Sequence, residues 1–100
     1  FSRRPDDIQK EIYRRINWKV LPGLSTKYRL FVDYRIGEDG RFSKAEVHGQ
    51  LGDAYRKQLE LILNEFPPVQ VFYYRDKPIN EGWTIPIIFS NEMKRRTRRH

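Results

Sequence analysis

The side chains able to do acid–base, nucleophilic or metal chemistry are few in this sequence, and their spacing suits none of it. The histidines are His48 and His100, and there is no cysteine. A metal centre or a serine–histidine arrangement needs partners at workable spacing, and neither histidine has one; His48 reads as a solvent-edge residue at a strand end. The adjacent carboxylates Asp6–Asp7 and Glu38–Asp39 fall at a helix start and in a turn, where dipole and turn chemistry account for them. Gly37-Glu38-Asp39-Gly40 lacks the glycine spacing of a phosphate cradle and precedes no helix. The expectation is therefore a protein that is not an enzyme, with no catalytic residue, no cofactor and no metal ligand.

Positive charge is the other candidate for chemistry. The 100 residues hold 20 Lys and Arg against 13 Asp and Glu, a net charge of +7. Five of those cations, Lys94, Arg95, Arg96, Arg98 and Arg99, lie in the last seven residues. Without them 15 basic side chains face 13 acidic ones, so the body is close to neutral. The run of five cannot pack on itself and predicts a basic, solvated, mobile tail over residues 93–100. Such a tail could contact nucleic acid or anionic lipid.

Residues 1–92 read as one domain. Six Tyr, six Phe and two Trp supply a core for a chain of this length. The longest apolar stretch, Trp83 to Phe89, is far short of the roughly 20 residues that span a bilayer. No signal-like start is present either, since Phe1-Ser2-Arg3-Arg4 is followed by charge, and the chain reads as a piece of something longer.

Pro5-Asp6-Asp7 opens a helix, and Ile8, Ile12 and Ile16, with Tyr13 beside them, form its inward stripe. Pro22-Gly23 is a turn. From Lys27 to Ile36 the period becomes two, with Tyr28, Leu30, Val32, Tyr34 and Ile36 on one face. The Asp39-Gly40 turn returns an antiparallel partner over Arg41 to His48; Phe42 is out of phase with Ala45 and Val47, which predicts a bulge. Asp53 is a candidate N-cap for a second helix carrying Tyr55, Leu59, Ile62, Leu63 and Phe66, stopped by Pro67-Pro68. Val69 to Tyr74 is a short extended run, Arg75 to Gly82 a polar loop, and Gly82 to Ser90 the final strand. The fold class is α+β, order α-β-β-α-β with a short extended segment before the last strand, two helices packing on one face of a three-stranded antiparallel sheet.

Over residues 8 to 90 this order resembles the TonB carboxy-terminal domain family. Tyr28 to Ile36, Glu38-Asp39-Gly40-Arg41-Phe42 and Ala45-Glu46-Val47-His48-Gly49 are similar to its strand, Asp-Gly turn and strand. Leu59 to Phe66 with Pro67-Pro68, then Lys77-Pro78-Ile79 and Trp83-Thr84-Ile85-Pro86-Ile87-Ile88-Phe89, resemble its second helix, its Gly-Lys-Pro-Val loop and its final Pro-Ile-Asn-Phe strand. The sequence departs from the family pattern at Trp18-Lys19, where a Tyr-Pro is common, at Ser25-Thr26-Lys27, where a glycine is common, and at Asp76, which stands for the loop glycine.

The resemblance implies the receptor-binding head of an energy transducer that is anchored in the bacterial inner membrane, works with ExbB and ExbD, and reaches across the periplasm. It implies that this head grips the TonB box, a short extended segment of an outer-membrane transporter, and so couples proton-motive force to import.

An exposed sheet edge can grip such a segment through its unpaired N–H and C=O groups. The candidate partner-binding residues are Trp83, Thr84, Ile85, Pro86, Ile87, Ile88, Phe89 and Ser90, with Trp18. Because Pro86 has no N–H, its nitrogen belongs on the unpaired side, and Thr84, Ile88 and Ser90 then offer their donors on that same side. Exposed edges also allow a strand-exchanged homodimer. Two alternatives stand beside this reading. One is a small basic nucleic-acid-binding module using Arg29, Arg35, Arg41 and the tail, with Tyr73, Tyr74 and Arg75 as an aromatic and basic cluster; the other is a TonB-like domain of a membrane sensor or peptidase.

Overall fold

The computed structural model describes residues 4–23, 27–49, 52–71, 73–75, 77–78 and 82–98. Helix α1 (Pro5–Arg15) begins with proline in its first turn beside Asp6 and Asp7 and ends on Arg14 and Arg15, so charge of the right sign sits at both poles. It buries Ile8 and Ile12. A single 3-10 turn over Trp18–Val20 follows, with the Asn17 side chain accepting the Lys19 N–H.

Strands β1 (Tyr28–Ile36) and β2 (Phe42–His48) form an antiparallel hairpin. Leu30, Val32, Tyr34 and Ile36 are buried along β1 in strict alternation. The expected bulge is present: Arg35 pairs with Lys44 and Ile36 with Phe42, leaving Ser43 as the extra residue. That one-residue slip turns Phe42 inward, where its ring lies 5.0 Å from those of Tyr34 and Phe66. At the turn, Gly40 takes φ of 79°, and its carbonyl accepts the Val69 N–H at 2.7 Å, tying the hairpin tip to the loop after the second helix.

Helix α2 (Asp53–Asn64) buries Tyr55, Leu59, Ile62 and Leu63. Its N-cap is Gly52 and its first helical residue is Asp53, so the expected capping role of Asp53 is corrected to a first-turn carboxylate facing the helix dipole. Strands β3 (Tyr73–Tyr74) and β4 (Lys77–Pro78) pair with each other alone. Strand β5 (Gly82–Phe89) then lies antiparallel to β1, giving the sheet order β2-β1-β5.

Helix α1 lies over β5 and α2 over β2 on the same face of the sheet, enclosing one core. The chain is thus α+β in the expected order, with additions. The chief one is helix α3 (Asn91–Arg98). Lys94, Arg95, Arg96 and Arg98 are carried on this helix, so the stretch expected as a mobile tail is wound from Asn91 to Arg98, with Arg95 and Arg96 still exposed to solvent. Ser90 begins it, its Oγ accepting the Met93 N–H at 3.1 Å and its carbonyl the Lys94 N–H, and Met93 packs on the core. Arg99 lies outside the described residues, as do Asp76 and Ile79 and the side chains of Tyr73 and Tyr74. No helix among the described residues is long and apolar enough to cross a membrane.

Candidate functional site

In an antiparallel ladder each residue directs its N–H and C=O to one lateral side, and its neighbour directs them to the other. Phe31 faces Pro86 and Arg29 faces Ile88 across β1 and β5. Ile88 donates its N–H not to β1 but to the Tyr13 hydroxyl at 2.8 Å. Ile88, Pro86 and Thr84 therefore turn their backbone groups outward, which is the side the missing N–H of Pro86 calls for.

That outer side is already occupied at its centre. Gln9 Nε2 donates to the Pro86 carbonyl at 2.7 Å, next to the Tyr13–Ile88 bond. Residues four apart on a helix rise about 6 Å, and residues two apart on a strand span about 6.7 Å. Gln9 and Tyr13 therefore sit one above the other along α1 at the pitch of β5 and supply it with one donor and one acceptor. Tyr13 is half-buried, and burial raises its hydroxyl above the ordinary tyrosine range while the Ile88 N–H pulls it partly back.

These contacts correct the expectation that the donor at Ile88 is available. They leave Gly82 and Thr84 as the outward residues of β5 whose backbone groups meet no partner among the described residues. Sequence reasoning missed the pair because Gln9 and Tyr13 flank the isoleucine stripe of α1; the signal is the four-residue spacing of two polar-tipped side chains along that flank.

The remaining candidate residues separate by face. Ile85, Ile87 and Phe89 point into the core, so their contribution to any contact is through β1. Thr84 and Pro86 are exposed on the opposite face, and Trp83, at the start of the strand, is 42% exposed. Ser90 has left the strand and caps α3. Trp18 is corrected outright: it is 7% exposed, its ring packs edge-on against Phe89 at 5.6 Å, and its Nε1 has no hydrogen-bond partner among the described residues. It is a core residue rather than a partner contact.

The open face of the sheet carries a polar network. Thr84 Oγ1 donates to Asp33 Oδ1, His48 Nε2 lies 2.8 Å from the other Asp33 oxygen and 3.5 Å from Glu46, and Lys44 lies 3.6 Å from Glu46. A shallow hollow of about 360 Å³ opens beside it, lined among others by Asp33, Arg35, Lys44, Glu46 and Trp83. The carboxylate sits between the hydroxyl and the imidazole, whereas activation of a hydroxyl nucleophile needs the imidazole in contact with it. The network thus fastens β1 to both neighbours. Arg29 and Arg35, two of the three arginines of the nucleic-acid alternative, lie with Asp33 on this face, so cations and carboxylates interleave there, and the third, Arg41, is exposed just before β2. Among the described residues no group of three His, Asp or Glu side chains is gathered for a metal ion.

Comparison of the chain with protein-family models, with curated proteins and with solved structures finds no match.

Proposed function

We propose that this chain is a noncatalytic peptide-gripping module of the TonB type: the periplasmic, receptor-binding head of an inner-membrane energy transducer that works with ExbB and ExbD. It takes the TonB box of an outer-membrane transporter as an added strand along β5. The observation that supports the reading is the state of the β5 edge. Its outward Pro86 carbonyl and Ile88 amide are each satisfied by one side-chain bond from α1, and one residue of a guest strand can replace both, its N–H meeting Pro86 and its C=O meeting Ile88. Thr84 then extends the ladder toward exposed Trp83, an aromatic of the kind that anchors interfaces. Each exchanged bond contributes only about 0.5–1.5 kcal/mol net, so the grip is weak and reversible, as a cycling transducer requires.

The test is titration of the full chain with a TonB-box peptide, followed by amide NMR. Shifts and exchange protection centred on Thr84 and Ile88, with release of the Gln9 side-chain amide, are expected. Perturbations that avoid β5 at saturating peptide overturn the reading.

A further inference from the structure

The opposite edge of the sheet offers a second strand-accepting surface that the β5 reading does not use. On β1, residues 30, 32 and 34 direct their backbone groups to β5, so 31, 33 and 35 direct theirs to β2 and bond to His48, Glu46 and Lys44. Ala45 and Val47 therefore turn both N–H and C=O outward. β2 is an edge strand of the sheet, and no hydrogen bond to these outward groups comes from another described element. Among the described residues this edge carries no counterpart of Gln9 and Tyr13.

Beside it lies a groove of about 290 Å³ between β2 and the end of α2. Phe42, Leu63 and Phe66 give it an apolar strip onto which Ala45 opens, while Arg41, Ser43, Lys44 and Asn64 make the rest of its lining polar, and no described carboxylate lines it. Ala45 shares the helix-side face of the sheet with Tyr34, opposite which it pairs, yet it is exposed, because nothing described fills the groove next to it.

We infer that the β2 edge binds an extended peptide in which an apolar residue is followed by an acidic one. A guest strand added antiparallel puts the residue opposite Ala45 on the helix-side face, where its side chain enters the groove over Leu63 and Phe66. The next guest residue lies opposite Lys44 on the open face, where a guest carboxylate shares the ammonium that already lies 3.6 Å from Glu46. The residue before the apolar one lies opposite Glu46 and favours a cation. The chemistry that recognises the partner is thus a cation, an apolar side chain and a carboxylate in succession on a bare strand. A bare strand rather than a second copy of this chain is the occupant, because α2 lies directly over β2. Pairing two β2 edges antiparallel, the same sense as the guest strand, brings the strands to about 4.8 Å and drives α2 against its mate on the same face, well inside the 8–10 Å that packed helices need.

The experiment uses the full chain and two blocked peptides, Ser-Thr-Lys-Leu-Glu-Thr-Ser and its charge-reversed form Ser-Thr-Glu-Leu-Lys-Thr-Ser. The first is expected to shift and protect the Ala45 and Val47 amides in NMR spectra, leaving Thr84 and Ile88 unmoved. Lys44→Glu is expected to weaken it by about two- to fivefold and to strengthen the reversed peptide by a similar factor, the range of an exposed ion pair. Ala45→Pro removes one outward donor and no β1 bond, and is expected to weaken binding by about two- to twelvefold with the remaining spectrum preserved. Protection at β5 instead of β2, equal response of both peptides to Lys44→Glu, or concentration-dependent self-association through β2 by light scattering each overturns the inference. Binding to β5 alone would leave the TonB-type reading standing while removing this one.

Discussion

Removing the two side chains that α1 lays along β5 should lower stability and raise peptide affinity together. In Gln9→Ala/Tyr13→Phe the Ile88 N–H loses its acceptor in a half-buried setting, which costs about 1–2 kcal/mol, while the exposed Pro86 carbonyl is left to water at about 0.5 kcal/mol. The folded state is therefore expected to lose about 1.5–2.5 kcal/mol in urea denaturation. In the parent chain a guest strand must break the same two bonds before making its own. The variant has none to break, so the same free energy returns as affinity, roughly ten- to sixtyfold tighter binding of a TonB-box peptide by calorimetry. Opposite signs in the two assays are the signature. If stability falls and affinity falls or stays constant, Gln9 and Tyr13 only brace the sheet, and the stretch from Pro86 to Ile88 is not where the guest strand sits.

Three further outcomes follow from the geometry. Gly40→Ala drives a Cβ into the Val69 carbonyl oxygen at φ of +79°, and should destabilise by about 2–4 kcal/mol through left-handed strain and loss of the Val69–Gly40 bond, whereas Gly23→Ala, with nothing within 4 Å, should leave the urea midpoint unchanged. Burial raises the hydroxyls of Tyr13 and Tyr55 in the folded state, Tyr28 adding to the shift at Tyr55; the folded chain therefore holds protons that the unfolded chain releases near pH 10. Their stabilisation is complete below about pH 10 and is lost as pH rises beyond it, so Tyr13→Phe/Tyr55→Phe should flatten the alkaline fall in unfolding free energy measured between about pH 9 and pH 11. Ser90→Ala removes the cap of α3 and should cost about 1 kcal/mol of helix stability, read as faster amide exchange over residues 94–98 with β5 protection unchanged.

The strands were legible because their signals are local. Phe42 stands one step out of phase with Ala45, and the bulge at Ser43 is the physical answer to that mismatch. Pro86 announced its own lateral side through the donor it lacks. What stayed hidden depended on contacts between elements distant in sequence. Gln9 meets Pro86 across 77 positions, and the four-residue spacing it shares with Tyr13 does not by itself tell a side chain that caps a strand edge from one that faces water. Trp18 could equally have served a core or a partner until Phe89 was seen beneath its ring. The charge run after Ser90 looked unable to pack, yet a single apolar residue, Met93, with a serine cap ahead of it, is enough to wind it into a helix.

The sheet order also fixes how much chain must be brought together at each step of its assembly. β1, in the middle, gains β2 across a turn in which Ile36 and Phe42 nearly adjoin. It gains β5 by closing a loop at least from Arg35 to Gly82, roughly eight times longer, or about 2 kcal/mol more closure entropy at three doublings of length. The hairpin can therefore form while β5 is still free, and in that interval the side of β1 destined for β5 is itself an unpaired edge beside Leu30, Val32 and Tyr34. A chain halted in that state exposes a long apolar strand to its neighbours, so arrival of Ile85, Ile87 and Phe89 does more than complete a core: it ends the period in which the molecule is prone to aggregate.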